Sequence, residues 1–395
     1  MTEVRFPDGF VWGTATSAHQ IEGGNFNNDW WDWEHNPDSG CAESSGDACD
    51  SLHRWSEDIE LVAAMGLGAY RFSLEWSRIE PAEGEFSIAA LDYYRRICAA
   101  CRERDIAPVV TFHHFTLPKW LSARGGWEAP DGPDAFARFV TRATRGIGDI
   151  VGWACTINEP SVIASMGYSV GSSPPGVKGD LARHLAVNEA LVRAHRLAVD
   201  VLRSGPGDFP VGLSASMDEF VAEPGGEAVC EAARDILEGT FLRATSGDDF
   251  VGIQCYTRQH FGPSGPAPDD PDVPTTQMGY EYWPQVVEHC ARRAAAATGL
   301  PVLVTENGIA SDDDDERIAY LAEALRGVER CLDDGVDIRG YFVWSLLDNF
   351  EWGHGFRPKF GLHSVDRDTF IRHPKPSALW FGEVARANGL VAPPA

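Results

Sequence analysis

The segment WACTINEPS ends an apolar run with an amide and a carboxylate, Asn158 and Glu159, and then closes it with Pro160. A carboxylate at the mouth of a core strand is costly to desolvate unless it is paired, hydrogen-bonded or used. One reading is a strand-end turn whose polar residues cap the next helix. A second carboxylate, Glu306, ends another apolar run in PVLVTENG. Two carboxyl groups that only the fold could bring together are the minimum equipment for breaking a glycosidic bond. One of them moves a proton. The other attacks the reacting carbon or activates water.

Other apolar runs end in the same way. The first leads to His19, Gln20 and Glu22, the second carries Arg71, and the third ends in His113 and His114. The sixth ends in Gln254, Cys255 and Tyr256. The last carries Trp344, followed by Asp348, Asn349, Glu351 and Trp352. One polar strand end is ordinary, but a majority of them describes a pocket lined with hydrogen-bonding groups and aromatic faces. Carbohydrates require that mixture: polar groups for the hydroxyls and flat rings for the C–H face of a pyranose.

The elements that must position these residues are eight short apolar runs. They begin at Phe10, Gly68, Ala107, Gly152, Pro210, Phe250, Pro301 and Gly340. Most are apolar on both faces, as in parallel strands covered on each side. Between them lie stretches with apolar residues at three- and four-residue spacing, such as LDYYRRICAACRER and DAFARFVTRATRGI, which predict amphipathic helices. Eight alternations fit an α/β class, a single (β/α)8 TIM barrel over residues 1–395 with its site at the C-terminal ends of the strands. A doubly wound open sheet is the alternative, weakened because no glycine-rich phosphate fingerprint follows the first strand. GPSGPAPDDPDVP, from Gly262, reads as a turn-rich surface excursion.

A net charge of −26 argues against nucleic acid and anionic membranes as partners. No run is long and apolar enough to span a bilayer, and no signal peptide is visible, so a cytoplasmic location is expected. The nine cysteines show no disulfide framework, and Cys98 and Cys101 read as buried helix thiols. The run Asp312 to Asp315 reads as a helix start rather than a metal site. No metal or cofactor is expected, and the sequence does not set an oligomeric state.

The chain resembles glycoside hydrolase family 1, the β-glucosidase and β-glycosidase family. The resemblance rests on FVWGTATSAHQIEG, YRFSLEWSRI, VTFHHFTLP, TINEP, VTENG, WSLLDNFEWGHGF and KFGLHSVDRDTF, in that order along nearly the whole chain. It implies a retaining β-glycosidase acting on a small β-glycoside, with Glu159 as acid/base and Glu306 as nucleophile held by Arg71 and Tyr256. It implies that Gln20, His114, Asn158, Glu351 and Trp352 bind sugar hydroxyls, and that Trp344 lies under the ring. His113 is then structural. A specialist glycosidase, a transglycosidase and a non-catalytic sugar-binding barrel are the alternatives. The chain departs from the family at Gln254 and Cys255, where Asn-Tyr is usual, and at Phe115, where the family has tryptophan. The longer Gln254 is expected to shift a hydrogen bond near the nucleophile. The loops around the aglycone are expected to be trimmed.

Overall fold

A computed structural model describes residues 5–268 and 270–393. The ends of the expected 1–395 unit, including the first residues of the segment read for a signal peptide, lie outside the described residues. So does Asp269 of the turn-rich stretch.

The eight apolar runs form eight parallel strands: β1 (Val11–Ala15), β2 (Ala69–Ser73), β3 (Ala107–His113), β4 (Trp153–Asn158), β5 (Val211–Ser216), β6 (Phe250–Gln254), β7 (Val302–Asn307) and β8 (Ile338–Trp344). Each pairs with its neighbours in sequence, and β8 returns to β1 in register from Val11 opposite Gly340 to Ala15 opposite Trp344. The sheet is a closed barrel, as expected from strands apolar on both faces. Near the N-terminal ends of the strands, Ala69, Val109, Cys155, Phe250, Leu303 and Phe342 pack as a separate fully buried cluster. A side chain at Gly13 would meet the Phe342 ring at 2.3 Å, so the bulk of Phe342 is accommodated by the missing Cβ on β1.

Amphipathic helices cover the outside. Ile88–Arg102 buries Leu91, Tyr94, Ile97, Cys98 and Cys101, and Ser87 caps it by accepting from the Ala90 N–H at 3.1 Å. The two thiols are therefore core residues, and burial pushes Cys101 up to about 12. The acidic run opens Asp314–Asp333, where Asp313 accepts from the N–H groups of Asp315 and Glu316. Helix Leu181–Ser204 is capped in the same way by Asp180.

The sequence pattern did not announce two features. EAVCEAARDILEGTFLRA is helical, but a wider π-type turn at Asp235–Gly239 interrupts it. A small sheet also stands on the rim: Glu219–Ala222 runs parallel to Arg258–Gly262, which pairs antiparallel with Gly265–Pro266. Among the described residues, no helix is long and apolar enough to cross a membrane.

Candidate active site

β4 delivers Asn158 to the top of the barrel, and the chain then turns sharply. Glu159 takes a left-handed conformation, with φ of +42°, and Pro160 starts the helix Pro160–Ser165. The missing N–H of proline is harmless at that first helical position. The Glu159 side chain makes no capping hydrogen bond to that helix, so the capping reading of TINEP fails. Instead, Glu159 lines a cavity of about 1030 Å³ at the C-terminal ends of the strands. Ser216 at the end of β5 also lines the cavity and favours the charged form of the Glu159 carboxyl group.

β7 delivers Glu306 into the same cavity. Its Oε1 accepts from Arg71 Nη1 at 2.5 Å and its Oε2 from the Tyr256 hydroxyl at 2.7 Å. The chain must then pass close beneath β8. A Cβ on Gly308 would stand 2.1 Å from the Trp344 carbonyl oxygen, which accounts for the glycine in TENG. Arg71 is fully buried and reaches Asn158 Oδ1 with its other terminal nitrogen at 2.6 Å.

The two carboxyl groups share a cavity but not an environment. Burial, followed by the negative charge of Glu306, holds Glu159 well above the ordinary carboxyl range. Burial also pushes Glu306 upward, but the Arg71 guanidinium and the Tyr256 hydroxyl act against it. With one proton available, Glu159 holds it and Glu306 stays ionised. Burial disfavours the charge on Arg71, but the Glu306 carboxylate, with a further contribution from Cys155, raises its pKa above the usual value. Burial and the nearby carboxylates hold the Tyr256 phenol well above its usual range, so it remains a donor.

The opposite wall carries the C-terminal group. Gln20 Nε2 donates to Phe350 O at 2.8 Å, Asn349 Oδ1 at 3.2 Å and Glu351 Oε2 at 3.3 Å, while Ser17 donates to Gln20 Oε1. Burial and the Glu306 charge push Glu351 up to about 8, with the neighbouring Trp344 indole and Gln20 acting against the shift. Trp352 lies parallel to the imidazoles of His19 at 5.5 Å and His114 at 6.1 Å. Burial holds His114 well below its usual pKa, so the ring is neutral. His113 turns away from the cavity and packs edge-on against Trp76, Trp127 and Phe136, as expected of a structural residue.

Of the ten expected site residues, Gln20, His114, Glu159, Tyr256, Glu306, Trp344, Glu351 and Trp352 line the cavity. Arg71 and Asn158 are fully buried beneath it. The Asn158 amide is partly engaged: its Oδ1 takes Arg71 and Gln254, and one Nδ2 hydrogen faces His114 Nε2 at 3.3 Å, which leaves the second Nδ2 hydrogen. Gln254 therefore bonds to Asn158, not to the nucleophile position. Phe115, with φ of +68°, lies at 5.1 Å from Trp352 and adds an apolar wall.

The turn-rich stretch is mostly exposed, as its reading as a surface excursion expects, but its Pro266 and Val273, with Met278 and Tyr280 just beyond it, also line the cavity mouth. Asp218 also lines it, accepts from Gln259 and is pushed up to about 6 by burial. Neither Tyr280 nor Asp218 carried a sequence signal, because each lies in irregular chain beyond a strand end. Among the described residues, no group of three or more His, Cys, Asp or Glu side chains is arranged to hold a metal ion.

A closed parallel barrel with two unequally placed carboxyl groups and an aromatic, hydroxyl-binding wall defines a carbohydrate-cleaving enzyme. The family model described as "Glycosyl hydrolase family 1" matches residues 2–246 and 253–390, and the chain belongs to that family. It is 34% identical to Beta-glucosidase A of Thermotoga maritima over 447 aligned positions, covering 99% of this chain and 100% of that protein. It is 35% identical to Thermostable beta-glucosidase B of Thermobispora bispora, covering 98% and 92%. The crystal structure of beta-glycosidase BGL167 superimposes with a TM-score of 0.89 at 44% identity, covering 99% of both chains. The beta-glycosidase from Pyrococcus horikoshii gives 0.91 at 33% identity, covering 99% and 97%. The chain is a retaining hydrolase of the β-glucosidase type. The Thermotoga alignment runs over more positions than this chain has residues, in keeping with shortened loops.

Proposed function

We propose that the protein hydrolyses unphosphorylated β-glucosides, with β-fucosides and β-galactosides also accepted, by double displacement between Glu306 and Glu159. The observation that carries this reading is the unequal surroundings of the two carboxyl groups in one cavity. Glu306 is held by Arg71 and Tyr256, whereas no cation bonds to Glu159 among the described residues.

The ionised Glu306 oxygen attacks the anomeric carbon. The bond from that carbon to the leaving oxygen breaks, and Glu159 gives the leaving oxygen its proton. Esterification removes the charge of Glu306, so the pKa of Glu159 falls and it becomes a base. Water then attacks the same carbon, Glu159 takes its proton, and the bond to Glu306 breaks. Gln20, His114, Glu351 and Trp352 hold the sugar hydroxyls, and Trp344 lies under the ring. Asn158 acts from below, through Arg71 and His114.

Glu351 also bears on which sugars enter. A carboxylate accepts from two hydroxyls at once, but beside a phosphate dianion it is repulsive. Glu351, pushed up to about 8, carries its full charge only above that pH; there, two unit charges at about 4 Å and an effective dielectric near 20 cost on the order of 4 kcal/mol before screening. Arg357 and Lys359 do not offset this as a phosphate clamp: Arg357 donates to Gln277 O, and Lys359 Nζ to Phe356 O. The test is kcat/KM on p-nitrophenyl β-glucoside against its 6-phosphate, with the first-formed anomer followed by NMR. A preference for the phosphate, or the α anomer appearing first, would refute the reading.

A further inference from the structure

Gln254 is the residue of the barrel top whose role is least expected. It ends β6, is fully buried, and reaches across β5 to Asn158 on β4, donating from Nε2 to Oδ1 at 2.8 Å. The crossing is possible because β5 offers only short side chains there: Ser214 stands opposite Asn158 and Ser216 opposite Gln254. Among the described residues, the side-chain hydrogen bond of this amide runs from its donor end to Asn158.

Asn158 Oδ1 receives two donors, Gln254 Nε2 and Arg71 Nη2. An amide has one acceptor end and one donor end of nearly the same shape. Turned over, Asn158 would present N–H to Arg71, donor against donor. The guanidinium could not then keep both the amide and Glu306. A second donor on Oδ1 penalises that rotation.

We propose that Gln254 is a positioning residue for the nucleophile: by locking the Asn158 carbonyl toward Arg71, it keeps the guanidinium on Glu306. The chain of contacts is Gln254 to Asn158, Asn158 to Arg71, Arg71 to Glu306, with no substrate contact by Gln254. The charged and titratable groups facing Glu306 are Arg71 from β2, Glu159 after β4, Tyr256 after β6 and Glu351 after β8; neutral His114 after β3 faces Arg71. Asn158, held by Gln254, and the Thr305 carbonyl, 3.5 Å from Arg71 Nη1, are the uncharged groups that bear on where Arg71 points. The proposal rests on Glu306 being the nucleophile.

The experiment uses Gln254→Met, which keeps the length and volume of the side chain and removes the donor. The acid limb of kcat/KM against pH reports ionisation of the nucleophile in the free enzyme. Loosening Arg71 moves that limb to higher pH, by about half a unit to one unit, and lowers kcat/KM at neutral pH by roughly tenfold. Asn158→Ala moves the limb in the same direction, and the double variant moves it no further than Asn158→Ala alone, because both act through one contact. An unmoved acid limb in Gln254→Met, or additive shifts in the double variant, overturns the proposal. Asn158→Leu serves as the second substitution if the alanine variant does not fold. A 2-deoxy-2-fluoro-β-glucoside is used separately to label the parent protein. A label on Glu306 upholds the assignment the proposal depends on. A label elsewhere overturns that assignment and the proposal together, whereas a label on Glu306 with an unmoved limb refutes the Gln254 role alone.

Discussion

The same strands carry two layers of opposite character. Low in the barrel, β2, β4, β6, β7 and β8 contribute Ala69, Cys155, Phe250, Leu303 and Phe342, packed dry against one another. A few residues further along they contribute Arg71, Asn158, Gln254, Glu306 and Trp344, joined largely by hydrogen bonds. The lower layer gains stability from apolar burial and contains no group to titrate except one thiol. The upper layer holds a buried ion pair and carboxyl groups pushed away from their ordinary pKa values. Its geometry is maintained by the rigidity of the layer beneath. Stability and chemistry are thus separated along the strand axis rather than between domains.

The largest expected effect lies in the upper layer. Glu306→Gly should reduce hydrolysis by on the order of 10⁵-fold. It should still transfer sugar from an α-glycosyl fluoride to an acceptor, measured by product chromatography. Failure to do so would remove Glu306 from the nucleophile role. Glu159→Gln should lower kcat by about 10²- to 10⁴-fold on poor leaving groups and less on very good ones. Glu159→Ala should be accelerated by azide.

Phe250→Ala tests the lower layer in the reverse sense. It should cost about 3–5 kcal/mol in denaturant unfolding while the folded fraction keeps its kcat/KM. A fall in kcat/KM of an order of magnitude would show that the two layers are not separable.

A smaller effect concerns pH. The folded pKa of Glu351 is raised from 4.5 to about 8. Its contribution to stability is therefore fully present below about pH 4.5 and is lost as the pH rises through 8. Glu351→Gln should flatten that decline in Tm, and an unchanged slope would contradict it. The smallest effect is expected on the rim. Arg258 pairs with Glu281 and lies 3.9 Å over the Trp283 ring, partly exposed. Arg258→Ala should change kcat/KM only a few-fold, and unequally between aglycones, because an ion pair near solvent contributes about 0–1 kcal/mol.

The strands were legible because burial on both faces leaves long apolar runs, and their polar ends were legible because they interrupt those runs. Gln20, His114, Glu306 and Glu351 could be marked in that way. What was not legible depends on chain that follows no period. The wall containing Met278 and Tyr280 is turn-rich, and only its packing against the barrel brings it to the cavity. The inward reach of Gln254 requires knowing that Ser214 and Ser216 are its neighbours on β5. Asn158 is fully buried just beyond a register shift in the β4–β5 pairing between Cys155 and Asn158, which sequence spacing does not reveal.

The pairing of β8 with β1 has a consequence for how the molecule is made. A ribosome releases β1 early, and it must wait for nearly the whole chain before its second partner exists. Contacts between such distant segments slow folding and leave a strand edge open in the meantime. Gln20 waits as well, since its bonds go to Asn349, Phe350 and Glu351. A chain ended before Trp344 is an unclosed sheet, and one ended between Trp344 and Glu351 has every strand but a sugar site without its C-terminal wall. Synthesis therefore completes the barrel's strands first and the site a few residues later.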